Sequence, residues 1–123
     1  MDPVIIEPTN YSPQVVFEAN GNLSIKGRSL MLDAVSFYQP LIEWASSLIT
    51  PSVNLNFELD YFNTSSSKKL LDLLKVFDNN RNVNEFIVHW AFENDDEDTL
   101  MKGQLFEERL KNARFNYKEL SGI

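Results

Sequence analysis

Between Val53 and Phe77 the chain changes its hydrophobic period once, and that change limits what it can fold into. Val53, Leu55, Phe57, Leu59 and Tyr61 alternate with Asn54, Asn56, Glu58 and Asp60, the period of a half-buried strand with one polar face. Four consecutive hydroxyl residues follow, Thr64-Ser65-Ser66-Ser67. Beyond them Leu70, Leu71, Leu73, Leu74 and Phe77 recur at helical spacing, with Lys68, Lys69, Asp72 and Lys75 on the solvent side. The pattern predicts a helix from about Ser65 to Asp78. A strand running straight into a helix is half of a crossover unit, so a sheet with helices packed on it is expected. The polar face of the strand implies that this sheet is well covered on one side only.

The flanking segments extend the same scheme. Pro3, Pro8 and Pro13 make residues 1–13 an extended arm, with a short edge strand at Val4-Ile5-Ile6. Asn20-Gly21 is a hairpin signal between strands at Gln14 to Ala19 and Asn22 to Lys26, the second ended by Gly27. Asp33 can cap a helix carrying Ala34, Val35, Phe37, Tyr38, Leu41, Ile42, Trp44, Ala45, Leu48 and Ile49. Pro40 inside it predicts a kink or two abutting pieces, and Thr50-Pro51-Ser52 should end it. Phe86 to Phe92 reads as a strand. Asp95 to Leu110 reads as a helix with Leu100, Met101, Leu105, Phe106 and Leu110 inward, and Arg114 to Leu120 as a closing strand. The expected order is β-β-α-β-α-β-α-β, a single α/β domain over residues 1–123 with a mixed sheet.

Composition narrows the function classes. The 123 residues carry 11 basic and 18 acidic side chains, a net charge of −7 that opposes binding to nucleic acid or an anionic membrane. No apolar run approaches the roughly 20 residues of a membrane span, and no signal peptide opens the chain, so a soluble, cytoplasmic protein is expected. Without cysteine there is neither a disulfide framework nor a thiolate metal site. The single histidine, His89, has no second His or Cys to complete a nucleophilic triad or zinc site and reads as a hydrogen-bonded strand residue. No cofactor is implied.

Two clusters remain. The carboxylates of Glu93, Asp95, Asp96, Glu97 and Asp98 could hold a hard cation, as in a metal-dependent enzyme using Asp95, Asp96 and Asp98. Consecutive helical residues diverge around the axis, however, and an acidic first turn is already favoured by the helix dipole. The second cluster is the hydroxyl run. One Ser or Thr oxygen suffices to cap a helix, and four exceed that need. Hydroxyls at a strand-to-helix junction are also exposed and accessible to phosphorylation, with Lys68 and Lys69 close by. Thr64, Ser65 and Ser66 are all chemically competent acceptors.

The run Tyr61-Phe62-Asn63-Thr64-Ser65-Ser66-Ser67-Lys68 resembles the SiaC family of small bacterial regulatory phosphoproteins. Gly27-Arg28-Ser29, Phe37-Tyr38-Gln39-Pro40-Leu41-Ile42-Glu43-Trp44 and the stretch from Glu93 to Met101 strengthen the resemblance, which spans about Leu23 to Phe115. It implies a STAS-like fold and a non-enzymatic, partner-switching protein. It further implies phosphorylation of Thr64, with Ser65 and Ser66 as alternates, by a SiaB-like protein kinase, and removal of the phosphate by a PP2C-type phosphatase. The unphosphorylated form would bind and activate a diguanylate cyclase, raising cyclic di-GMP and favouring biofilm. Asn63, Thr64, Ser65, Ser66 and Lys68 would form the partner-binding surface. An output through an anti-sigma-factor cascade is the alternative.

Overall fold

In the computed structural model, which describes residues 1–120, the order is β1 (Val4–Ile6), β2 (Gln14–Phe17), β3 (Asn22–Ser29), α1 (Ala34–Ser47), β4 (Thr50–Phe62), α2 (Thr64–Asn79), β5 (Val83–Glu93), α3 (Glu97–Glu108) and β6 (Arg114–Leu120). The six strands lie in sequence order in one mixed sheet. β1, β2 and β3 pair antiparallel, whereas β3, β4, β5 and β6 pair parallel. Parallel neighbours require crossovers, and the three helices supply them. The junctions after β3, β4 and β5 therefore gather at one end of the sheet.

The strand residues facing the helices are buried: Leu23 and Ile25 on β3, Val53, Leu55 and Phe57 on β4, Phe86, Val88 and Trp90 on β5. Tyr38, Leu41 and Ala45 of α1 and Leu70, Leu73, Leu74 and Phe77 of α2 complete the core. Trp90 is its largest member, stacked on Phe57 at 4.3 Å between ring centroids and met edge-on by Phe106. Its indole N–H donates to the Thr99 carbonyl at 2.9 Å. The opposite face is polar and partly exposed. There His89 Nε2 lies 3.0 Å from Asn54 Oδ1, the hydrogen-bonded strand role its surroundings predict.

Several sequence expectations need correction. Gly27 does not end β3. It takes φ +117°, the register shifts between Gly27 and Arg28, and the strand continues to Ser29. Opposite this shift Gly27 pairs with Leu59 and Arg28 with Tyr61, so Asp60 is the extra residue of a bulge. The alternation of β4 is thereby reset: Tyr61 turns outward at 54% exposure and Phe62 becomes the buried residue. Thr50-Pro51-Ser52 is not a breaker but the start of β4, with Pro51 exposed at the strand's first turn of pairing.

α1 is one continuous helix, not two pieces. Pro40 lies on its exposed side, where the carbonyl of exposed Ser36, deprived of its usual partner, can reach water. Val35 and Ile49, assigned to the apolar stripe, are exposed. α3 is shorter than predicted and presents a different face. Thr99, Gly103 and Phe106 are buried, whereas Met101 and Leu105 are exposed. Gly103 sets this rotation, because a Cβ there would lie 2.7 Å from the Trp90 ring; only glycine lets the helix sit so close.

Candidate functional site: the β4–α2 junction

α2 begins at Thr64, and its cap is Asn63, not a hydroxyl. Asn63 Oδ1 accepts from the Ser66 amide at 2.9 Å, and its side-chain amide donates to the Met31 carbonyl at 3.2 Å. Its backbone N–H donates to the Ser29 carbonyl. A single asparagine thus caps the helix and ties it to the segment after β3, leaving the four hydroxyls free for other uses.

Those hydroxyls divide sharply. Ser66 is fully buried and joins a chain of hydroxyls beneath the junction. Tyr38 donates to Ser29 at 2.6 Å, Ser29 donates to Ser66 at 2.7 Å, and Ser66 reaches the Met31 sulfur at 3.3 Å. Burial pushes the Tyr38 phenol up to about 12, so it is a neutral donor throughout the physiological range. Thr64 and Ser65 are exposed, and Ser67 is half-buried.

Thr64 and Ser67 line a cavity of about 230 Å³ with Tyr61, Asn63, Lys68 and Lys102. Of the surface named from sequence, Asn63, Thr64 and Lys68 meet in this cavity; Ser65 lies outside its lining and Ser66 lies beneath it. Lys102 comes from α3. Its ammonium sits 4.6 Å from the centroid of the Phe62 ring and 5.3 Å from that of Tyr61.

Sequence reasoning missed Lys102. The signal was available in the topology, because parallel strands bring the β4–α2 and β5–α3 junctions to the same edge. Two larger cavities, of about 610 and 470 Å³, lie at the opposite end of α2 around Asn79, Asn80 and Arg81.

The acidic run is shared out between local roles and solvent. Asp96 caps α3, accepting from the Thr99 amide at 3.0 Å and the Thr99 hydroxyl at 2.7 Å. These bonds hold its carboxyl below the usual range. Among the described residues no group of three or more His, Asp or Glu side chains is placed to hold a metal ion. No helix among them is long and apolar enough to cross a membrane.

The fold and the junction define a single-domain α/β protein with an exposed hydroxyl and two lysines that have no ion-pair partner among the described residues, at the C-terminal edge of its parallel strands. The chain belongs to the SiaC family: the family model described as SiaC family regulatory phosphoprotein matches residues 6–120. Among solved structures, SiaC of Pseudomonas aeruginosa superposes with a TM-score of 0.80 at 22% identity, covering 98% of this chain and 100% of that one. The crystal structure of apo-SiaC from the same organism gives 0.78 at 23% identity, covering 96% and 99%. A chain from the complex of the diguanylate cyclase SiaD with its activator SiaC, also from P. aeruginosa, gives 0.80 at 22% identity, covering 95% and 99%. No curated protein matches the sequence.

Proposed function

We propose that this chain is a non-enzymatic signalling switch, phosphorylated on Thr64 by a SiaB-like kinase and reset by a PP2C-type phosphatase, in the cytoplasm. Unphosphorylated, it binds and activates a diguanylate cyclase, and so raises cyclic di-GMP. The observation that carries this reading is the placement of Thr64, exposed at the first position of α2 while Asn63 does the capping. A phosphoryl group can be added there without breaking a structural hydrogen bond. Ser66 is a poor alternate, because its hydroxyl is buried and engaged with Ser29; Ser65 is the accessible one.

Family membership supports the regulatory role, and the SiaD–SiaC complex supports a cyclase as output. Asn63, Thr64, Ser65 and Lys68 form the partner-facing surface, positioned by Ser66 from below. A phosphate of about −1.5 to −2 charges on Thr64 would add bulk and charge to that surface and release the partner.

Co-purification of the tagged chain from its native host, followed by mass spectrometry, tests the reading. The expected result is recovery of a cyclase with the unphosphorylated protein and a phosphopeptide modified at Thr64. Thr64→Ala should abolish phosphorylation and retain the cyclase, and Thr64→Asp should lose it. Full phosphate incorporation into Thr64→Ala by the cognate kinase would overturn the assignment.

A further inference from the structure

We propose that Lys102 of α3 is the cation that receives the phosphate on Thr64, closing α3 onto the start of α2. The inference rests on the reading of Thr64 as the phosphoacceptor. Three lysines stand near the junction and their circumstances differ; Arg28, in register with Tyr61 on the neighbouring strand, does not line the cavity that holds Thr64. Lys69 is already paired with Asp72 at 3.3 Å. Lys68 is exposed, one helical turn beyond Thr64 on the same helix. Lys102 has no carboxylate within ion-pair distance among the described residues, lines the same cavity as Thr64, and is held over the Phe62 and Tyr61 rings.

Most of the rotamer freedom a lysine would lose on pairing is therefore already lost in the unphosphorylated state. The cavity of about 230 Å³, which Thr64, Lys68 and Lys102 all line, offers room for a phosphate. The lining of the cavity suits an anion. Asp96 stands near enough to Lys102 to feel its charge, and among the described residues no carboxylate lines the cavity that Thr64 shares with Lys102. A dianion on Thr64 therefore meets cations first. Pairing keeps the Lys102 stem against the aromatic faces while its ammonium meets the phosphate, and so ties α3 to α2. Phosphorylation thus links two helices as well as changing the charge at Thr64.

Phosphothreonine installed at position 64 during translation gives the full chain in its modified form without the kinase. Phosphorus NMR then reads the secondary ionisation of the phosphate against pH. In the folded protein this ionisation should fall by about 0.5 to 1 pH unit below its value in the same chain denatured in urea, as expected for a partly exposed anion beside a cation. Lys102→Gln should return most of that difference and Lys102→Arg should keep it, whereas Lys68→Gln should return less. A Lys102→Gln protein that titrates like the parent would overturn the proposal. So would a Lys68→Gln protein that loses the whole effect. Mapping of the site modified by the kinase is a separate measurement, so failure of the Thr64 assignment is distinguishable from failure of the clamp.

Discussion

The two ends of α2 use their polar groups in opposite ways. At the C-terminal end the buried Asp78 carboxylate accepts from the amides of Lys111, Asn112 and Ala113 at 2.7, 3.0 and 2.7 Å, fastening the loop before β6. Next to it, Asn80 donates to the Ala45 and Leu48 carbonyls, closing the end of α1. At the N-terminal end only Asn63 and Ser66 are used this way, and the hydroxyls of Thr64 and Ser65 face solvent. One end consumes its hydrogen-bonding capacity to hold the fold; the other leaves some available to a partner or a modifying enzyme. Two cavities larger than the one at Thr64 lie at the consumed end, so volume alone points away from the hydroxyl run.

Mutations at the two ends should therefore differ in size and kind. Asp78→Ala should be the most damaging, costing about 3 kcal/mol in urea denaturation, because it removes a charged acceptor from three amides at once. A loss below about 1 kcal/mol would break the contrast. The Tyr38–Ser29–Ser66 chain should show an alkaline signature. The folded-state value of Tyr38 is raised, so its contribution is complete below the unfolded value near 10 and is lost as pH rises toward about 12. Two units of displacement correspond to at most about 3 kcal/mol, and Tyr38→Phe should flatten that part of the stability profile. Tyr117, raised by burial and by its bond to Glu107, should add to the loss in the same direction.

Ser66→Ala should cost about 1 to 2 kcal/mol, since Ser29 keeps Tyr38 but loses an acceptor. Thr64→Ala should change stability by no more than about 0.5 kcal/mol while abolishing phosphorylation. Parallel denaturation of Ser66→Ala and Thr64→Ala sharpens the comparison most cheaply, because the residues lie two apart in sequence and are predicted to behave differently.

The sequence was legible wherever one residue type suffices for one local task. Asn20-Gly21 announced its turn: Gly21 has φ +96°, and a Cβ there would run into the Ser52 carbonyl. Asp33 announced the start of α1, and it accepts from the Ser36 amide at 3.1 Å. The strand-to-helix junction was visible for the same reason, whereas the residues alone left Thr64, Ser65 and Ser66 undistinguished. What stayed hidden depends on residues far apart in the chain. The inward face of α3 is fixed by how Gly103 meets Trp90, which no helical period reveals. Asp78 looked like one more solvent carboxylate because its three donors come more than 30 positions later. The cap was misassigned to the hydroxyls although Asn63, an equally good capping residue, preceded them.

The bulge at Asp60 sets the phase of everything that follows it. A strand is a parity device: each residue is assigned to the inside or the outside by counting in twos. Asp60 adds one to the count, and only after that addition do Phe62 enter the core and Tyr61 emerge beside Lys102. The same addition sets the point at which the chain leaves the sheet for Asn63 and α2. Shortening β4 by that one residue would keep its composition nearly intact and yet exchange the two aromatic rings. Tyr61 would become core and Phe62 would face water, so that both rings beneath Lys102 would change sides. Orientation of the junction is thus encoded as an odd or even number, in a residue that touches neither Thr64's cavity nor the hydroxyl chain beneath it.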